Sequence, residues 1–196
     1  GGGAAACVTI CYENELSEVA LPMKMFVAGE WTNGRDTIDV LNPYDGSVVD
    51  TVPRGSAGDV DRALASAERG AKAMAALTGF ERYEILHRAG DLIVRDQESL
   101  AQTLTREEGK IISEARTEVL RAAEIMYLSA EEAKRLGSEV IPLEGGPGVR
   151  NKFGFTVRVP CGVVVAVAPF NFPLHLVCHK VGPALAAGNT VVVKGS

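Results

Sequence analysis

The sequence predicts an α/β fold with a parallel sheet that is incomplete within these residues. Three observations carry that prediction. The unbroken apolar run Val163–Val167 is what a strand buried on both faces requires. A helical stretch at 174–187, ended by Gly188, leads into a second β-prone run, Thr190–Lys194, which makes one β-α-β unit. Upstream, four segments between 56 and 136 repeat apolar residues at helical spacing. Two parallel strands cannot bury both faces of a sheet, so the chain is expected to be part of a longer protein.

The elements follow in order. Residues 1–6 are small and featureless, and Glu13, Glu15 and Glu18 come next, so 1–22 reads as a flexible tail rather than a secretory signal. Residues 25–31 and 37–41 are short and β-prone; Asn33-Gly34 between them tolerates positive φ and predicts a hairpin turn. A second turn at Asn42-Pro43-Tyr44-Asp45-Gly46 leads to a β-branched run over 47–52. Ser56 with Asp59 has the spacing of a capping box, and Val60, Ala63, Leu64, Ala67, Ala71 and Met74 then recur at helical spacing. A second helix is expected over 82–95, with Leu86, Ala89 and Ile93 inward, and a third over 98–107, with Leu100 and Leu104. A fourth spans 113–136, with Gly137 suited to a left-handed residue past its end. Over 152–159, Phe153, Phe155, Val157 and Val159 alternate with polar residues or glycine, the signature of a strand with one wet face. The cluster Gly145-Gly146-Pro147-Gly148 lacks the lysine and following helix of a phosphate loop and reads as a hairpin turn.

Composition bounds the function. The chain has 196 residues and is 46% hydrophobic, enough for one domain with a real core. A net charge of -5 with interspersed signs excludes a nucleic-acid surface, which needs clustered lysine and arginine. No apolar stretch approaches the ~20 residues that cross a bilayer, so no membrane partner is expected. Cys7, Cys11, Cys161 and Cys178 show no framework of paired spacings; reduced thiols in a cytoplasmic protein fit better.

Two positions point to chemistry. Pro169 and Pro173 bracket Phe170, Asn171 and Phe172, so the chain turns sharply after its apolar run and holds the Asn171 amide at the strand's carboxyl end. Open parallel sheets bind ligands at that edge. An amide donor fixed there suits a developing oxyanion; the plainer alternative is an asparagine that only forms the turn. Lys194 ends the next strand. A buried ammonium without a partner is costly, so Lys194 must emerge at the sheet edge or meet an anion. His175, Cys178 and His179 lie within about one helical turn, but a zinc site wants further ligands from a second cluster, so helix packing is the expected role and no metal is expected. None of the four cysteines suits a nucleophile: Cys7 and Cys11 fall in the tail, Cys161 follows Pro160 at a strand entry, and Cys178 faces the core, where a thiol is inert.

The segments 168–174 and 183–194 closely resemble the aldehyde dehydrogenase superfamily, with its P-[WF]-N-[FY]-P turn and A-x-G-N-T-V-V-x-K strand; a weaker likeness extends over 25–194. The resemblance implies a doubly wound, Rossmann-like cofactor domain that binds NAD or NADP and oxidises a small aldehyde to a carboxylate through a cysteine thiohemiacetal and thioester. It implies Asn171 as the oxyanion donor, Lys194 on the adenine-side ribose, and Ala166, Pro169 and Phe170 beside the nicotinamide. Gly195 stands where the family usually has proline. By the same likeness, 138–159 is an oligomerisation hairpin, 23–137 with 160–196 is the N-terminal part of the cofactor-binding domain, and the intact enzyme is a homo-oligomer, dimer or tetramer. The family's nucleophile lies in a Gly-Gln-x-Cys segment and its base glutamate in a Glu-Leu-Gly-Gly stretch; neither occurs here, so both are expected beyond Ser196 and the isolated chain is expected to be inactive. The turn followed by His179-Lys180 looks most like the branch acting on lactaldehyde, glyceraldehyde 3-phosphate without phosphorylation, or phosphonoacetaldehyde. The alternatives are a coenzyme A-acylating semialdehyde dehydrogenase and a non-catalytic assembly or binding protein.

Overall fold

A computed structural model describes residues 7–8 and 23–196. The chain order is β1 (Cys7–Val8), β2 (Met25–Val27), β3 (Glu30–Thr32), β4 (Asp36–Leu41), β5 (Val48–Arg54), α1 (Ala57–Ala76), α2 (Gly79–Arg95), α3 (Gln97–Glu108) and α4 (Ile112–Ala133), then β6 (Val140–Ile141), β7 (Gly154–Phe155), β8 (Val163–Val167), α5 (Pro173–Ala186) and β9 (Thr190–Lys194). The class is α/β, as the sequence predicts. Its parallel sheet has the order β1-β9-β8, with Val163 opposite Thr190 and Val167 opposite Lys194. Cys7 and Val8, read from sequence as tail, pair in parallel with Val191 and Val192; the rest of 1–22 lies outside the described residues.

The first hairpin differs from expectation. β2 and β3 pair around Ala28 and Gly29, both at positive φ, and Asn33-Gly34 makes no hairpin turn. Gly34 instead lies against β5, where a Cβ would come within 2.9 Å of Pro53 Cβ. β4 then pairs with β5 across the turn expected at Asn42–Gly46, closed by Gly46 N donating to Asn42 O at 2.8 Å.

Capping fixes the helix starts. At α1, Asp59 N donates to Ser56 Oγ while Ser56 N donates back to the Asp59 carboxylate, the expected capping box. A second box, Thr78 with Glu81, starts α2. Ala63, Ala67 and Met74 of α1 are buried, but Val60 and Leu64 are exposed. α4 ends at Ala133, three residues short of the expected 136, and Gly137 is not left-handed; Lys134 N and Arg135 N tighten the last turn by bonding Glu131 O and Glu132 O. The start of α2 abuts this end, since a Cβ on Gly79 would lie 2.5 Å from Ala133 O.

Helices α2, α4 and α5 share a core of Leu86, Ala122, Met126, Ala130, Ala133, Cys178 and Ala186. Gly182 lets α5 approach α4, because a Cβ there would meet Ser129 Oγ at 2.5 Å. Val181 and Ala184 of α5 pack on Ala166 and Val191 of the sheet. Val165 and Val167 are 59% and 57% exposed, so the sheet is covered on one face of β8 and open on the other, where burial on both faces was expected. The strand expected over 152–159 reduces to β7, paired with β6, and its apolar side chains are exposed. Among the described residues no helix is long and apolar enough to cross a membrane.

Candidate active site at the carboxyl edge of the sheet

The turn after β8 and the end of β9 meet. Ala168 N donates to Lys194 O at 3.0 Å, extending the ladder one residue beyond Val167 and placing the start of the 169–173 turn beside Lys194. Pro169, Phe170 and Asn171 are exposed, and α5 begins at Pro173, a favoured first helical residue. The Asn171 side chain makes no hydrogen bond with any described residue, so its amide is available to a ligand. Lys194 is exposed and its ammonium forms no ion pair among the described residues, consistent with the expected emergence at the sheet edge. Ala166 differs from these four: its side chain is buried against Val181, Ala184 and Val191, which leaves only its backbone to face a cofactor.

The rest of the strand motif is structural. Asn189 is buried; its Oδ1 accepts from Gly162 N at 3.0 Å and from the Cys161 thiol at 3.2 Å, and its Nδ2 donates to Ala184 O at 3.1 Å. It therefore ties the entry of β8 to the end of α5. Thr190 Oγ1 donates to Ala67 O at 2.9 Å and fastens α1 to the sheet. Gly188, at φ +82°, supplies the left-handed residue that ends α5.

The turn is held from beneath by a charged pair that sequence reading passed over. Glu118 of α4 has a side chain with 0% exposure; its Oε1 accepts from Leu174 N at 3.1 Å and His175 N at 3.2 Å. Phe172, the residue before α5, gives no side-chain cap, so Glu118 caps that helix from another one. Lys110, 8% exposed, donates to Glu118 Oε2 at 2.5 Å and to Asn171 O at 3.1 Å, with its ammonium 4.0 Å from the Phe172 ring centroid. Glu108 Oε2 lies 3.2 Å from the same ammonium; burial pushes the Glu108 carboxyl above its ordinary value, against the pull of Lys110. One signal was present in the sequence: Glu118 stands on the stripe shared by Ala115 and Ala122, both fully buried.

The thiols and imidazoles behave as follows. Burial, and behind it the Glu118 charge, pushes the Cys178 thiol up to about 12, so it stays protonated and unreactive. Cys161, at the entry of β8, is exposed, unlike Cys178. His175 and His179 meet ring to ring, Nε2 to Nε2 at 3.1 Å, and burial followed by the His179 charge lowers the His175 pKa. No group of three or more His, Cys, Asp or Glu among the described residues could hold a metal ion.

The model of the aldehyde dehydrogenase family matches residues 31–196. The chain belongs to that family. Over 170 residues it is 47% identical to a 3-sulfolactaldehyde dehydrogenase of Priestia aryabhattai, an alignment covering 87% of this chain and 35% of the relative. It is 41% identical over 174 residues to an NADP-dependent glyceraldehyde-3-phosphate dehydrogenase of Streptococcus equinus, covering 87% of this chain and 36% of that one. The crystal structure of an NADP-dependent glyceraldehyde-3-phosphate dehydrogenase from Bacillus halodurans C-125, complexed with NADP, superposes with a TM-score of 0.86 at 31% identity over 90% of this chain and 38% of that one. The chain thus spans 35% to 36% of the length of these two curated relatives.

Proposed function

We propose that this chain supplies the oxyanion donor and part of the cofactor cleft of an enzyme that oxidises a small aldehyde to a carboxylate with NAD or NADP. One observation carries the reading: an exposed amide, Asn171, and an exposed ammonium, Lys194, neither with a side-chain partner among the described residues, stand at the carboxyl edge of adjacent parallel strands tied together by Ala168 N to Lys194 O. The residues fit a dinucleotide, because the edge offers donors for hydroxyl and phosphate oxygens, and the pyrrolidine of Pro169 and ring of Phe170 offer apolar surface. A bound nicotinamide dinucleotide supplies the hydride acceptor. Lys194 donates to ribose hydroxyls, Pro169, Phe170 and the backbone of Ala166 border the nicotinamide, and the Asn171 amide donates to the aldehyde oxygen as it gains negative charge. Such a donor typically contributes about 2.7–4 kcal/mol to lowering the barrier.

The nucleophilic cysteine and the base glutamate lie outside residues 1–196 in this reading, with 23–137 and 160–196 forming part of the cofactor domain. The NADP-dependent names among the relatives favour NADP. Residues 138–159 pair with a second copy: Phe153, Phe155, Val157 and Val159 are exposed in and around β7, and burying them requires another surface. The test is aldehyde oxidation by an enzyme containing this chain, with a Lys194→Ala variant beside it. Nicotinamide reduction should depend on aldehyde and cofactor, and Lys194→Ala should raise the cofactor Kd with little change in the chemical step. Unaltered cofactor binding would return Lys194 to the role of a solvated strand end.

A further inference from the structure

We infer that Lys110 and Glu118 are positioning residues for the oxyanion donor, setting the Asn171 turn from the corner between α3 and α4. The inference rests on the reading of Asn171 given above. The turn has no side-chain cap of its own: Phe172 offers none, and the Asn171 side chain bonds nothing among the described residues. What holds it comes from residues more than fifty positions earlier. Glu118 takes the Leu174 and His175 N–H groups of the first α5 turn on one oxygen and the Lys110 ammonium on the other. Lys110 spends a second donor on the backbone carbonyl of Asn171 and covers the Phe172 ring.

The chemistry of this arrangement is specific. Both charges are almost fully withdrawn from water, which is tolerable only because each is paired and hydrogen-bonded. A packing role alone needs neither charge; an apolar pair of equal volume would fill the space. The pair grips the peptide of the donor residue itself, so the amide is left free while its backbone is fixed. Preorganised donors lower a barrier because they need not reorient as charge develops, and small displacements are expensive. Replacing Lys110 should therefore impair the same step as removing the Asn171 amide, and by way of it.

A double-mutant cycle in an enzyme containing this chain tests this, reading single-turnover hydride transfer and the cofactor Kd for Lys110→Met, Asn171→Ala and the double variant. Lys110→Met should slow hydride transfer about tenfold or more, with the cofactor Kd essentially unchanged. The double variant should be no slower than Asn171→Ala alone, because a misplaced donor and an absent one fail alike. If the two losses multiply, or Lys110→Met transfers hydride at the parent rate while Asn171→Ala is impaired, the inference is overturned and the reading of Asn171 stands. A silent Asn171→Ala would instead remove that reading, and this inference with it. Where Lys110→Met does not fold, Glu118→Gln carries the same cycle: its amide oxygen keeps both α5 N–H groups and its charge is gone, and the same two outcomes decide.

Discussion

In the unit formed by β8, α5 and β9, Ala166, Val181, Ala184 and Val191 close over one another and nearly every buried polar group has a partner, whereas along 138–159 Val140, Phe153, Phe155, Val157 and Val159 stay open to solvent. The contrast separates what this chain can fix by itself from what it cannot. The turn bearing Asn171 is braced by Glu118 and Lys110, and Asn189 ties the entry of β8 to the end of α5, all supplied internally, so this geometry does not wait for a partner surface. The hairpin has few cross-strand pairs and no core of its own, so little within the described residues holds its shape.

Breaking the internal brace should have the largest effect. Glu118→Ala leaves the buried Lys110 ammonium with Glu108 as its remaining carboxylate and strips two α5 N–H groups of their acceptor, a loss of about 3–5 kcal/mol that denaturant unfolding would read. Asn189→Ala should cost about 1–3 kcal/mol, since Gly162 N and the Cys161 thiol lose their shared acceptor in a partly buried position while Ala184 O keeps only the backbone N–H of residue 189. Replacing Phe153, Phe155 and Val157 together by serine should move unfolding free energy by only about 0.5 kcal/mol per site while shifting sedimentation toward a smaller species; equal losses from hairpin and brace would erase the distinction between the two regions.

The smallest effect concerns acid. The Ser56 hydroxyl, then its backbone N–H and Arg62, hold the Asp59 carboxyl from an ordinary 3.8 down to about 2. A depressed carboxyl stabilises the fold above its unfolded pKa and stops doing so as pH falls through the folded one, so this contribution fades between 3.8 and about 2. Asp59→Asn should flatten the acid limb of stability in that window, and an unchanged limb would mean that solvent screens the capping box to insignificance.

How much of this was legible depended on whether the signal was local. β8, α5 and β9 emerge from the sequence to within one residue because an apolar run, a helical period and Gly188 each mark their own boundary. The Ser56 box is local too, and it was found. Asn33-Gly34 carries an equally local hairpin signal that the structure overrules: β4 finds a better partner in β5, and Ala28-Gly29 takes the turn instead. Gly137 failed likewise, because α4 stops where α2 abuts Ala133. Asn171 and Lys194 were legible as residue types at strand ends. Lys110 and Glu118 were not, since a glutamate on an apolar stripe announces that it needs a partner without naming one 56 residues away.

The most direct measurement is single-turnover hydride transfer by Asn171→Ala, with cofactor affinity determined on the same protein. A donor to the developing oxyanion predicts a rate lower by about a hundredfold to a thousandfold at nearly constant cofactor Kd. Hydride transfer at the parent rate would contradict it and leave Asn171 as a turn former only.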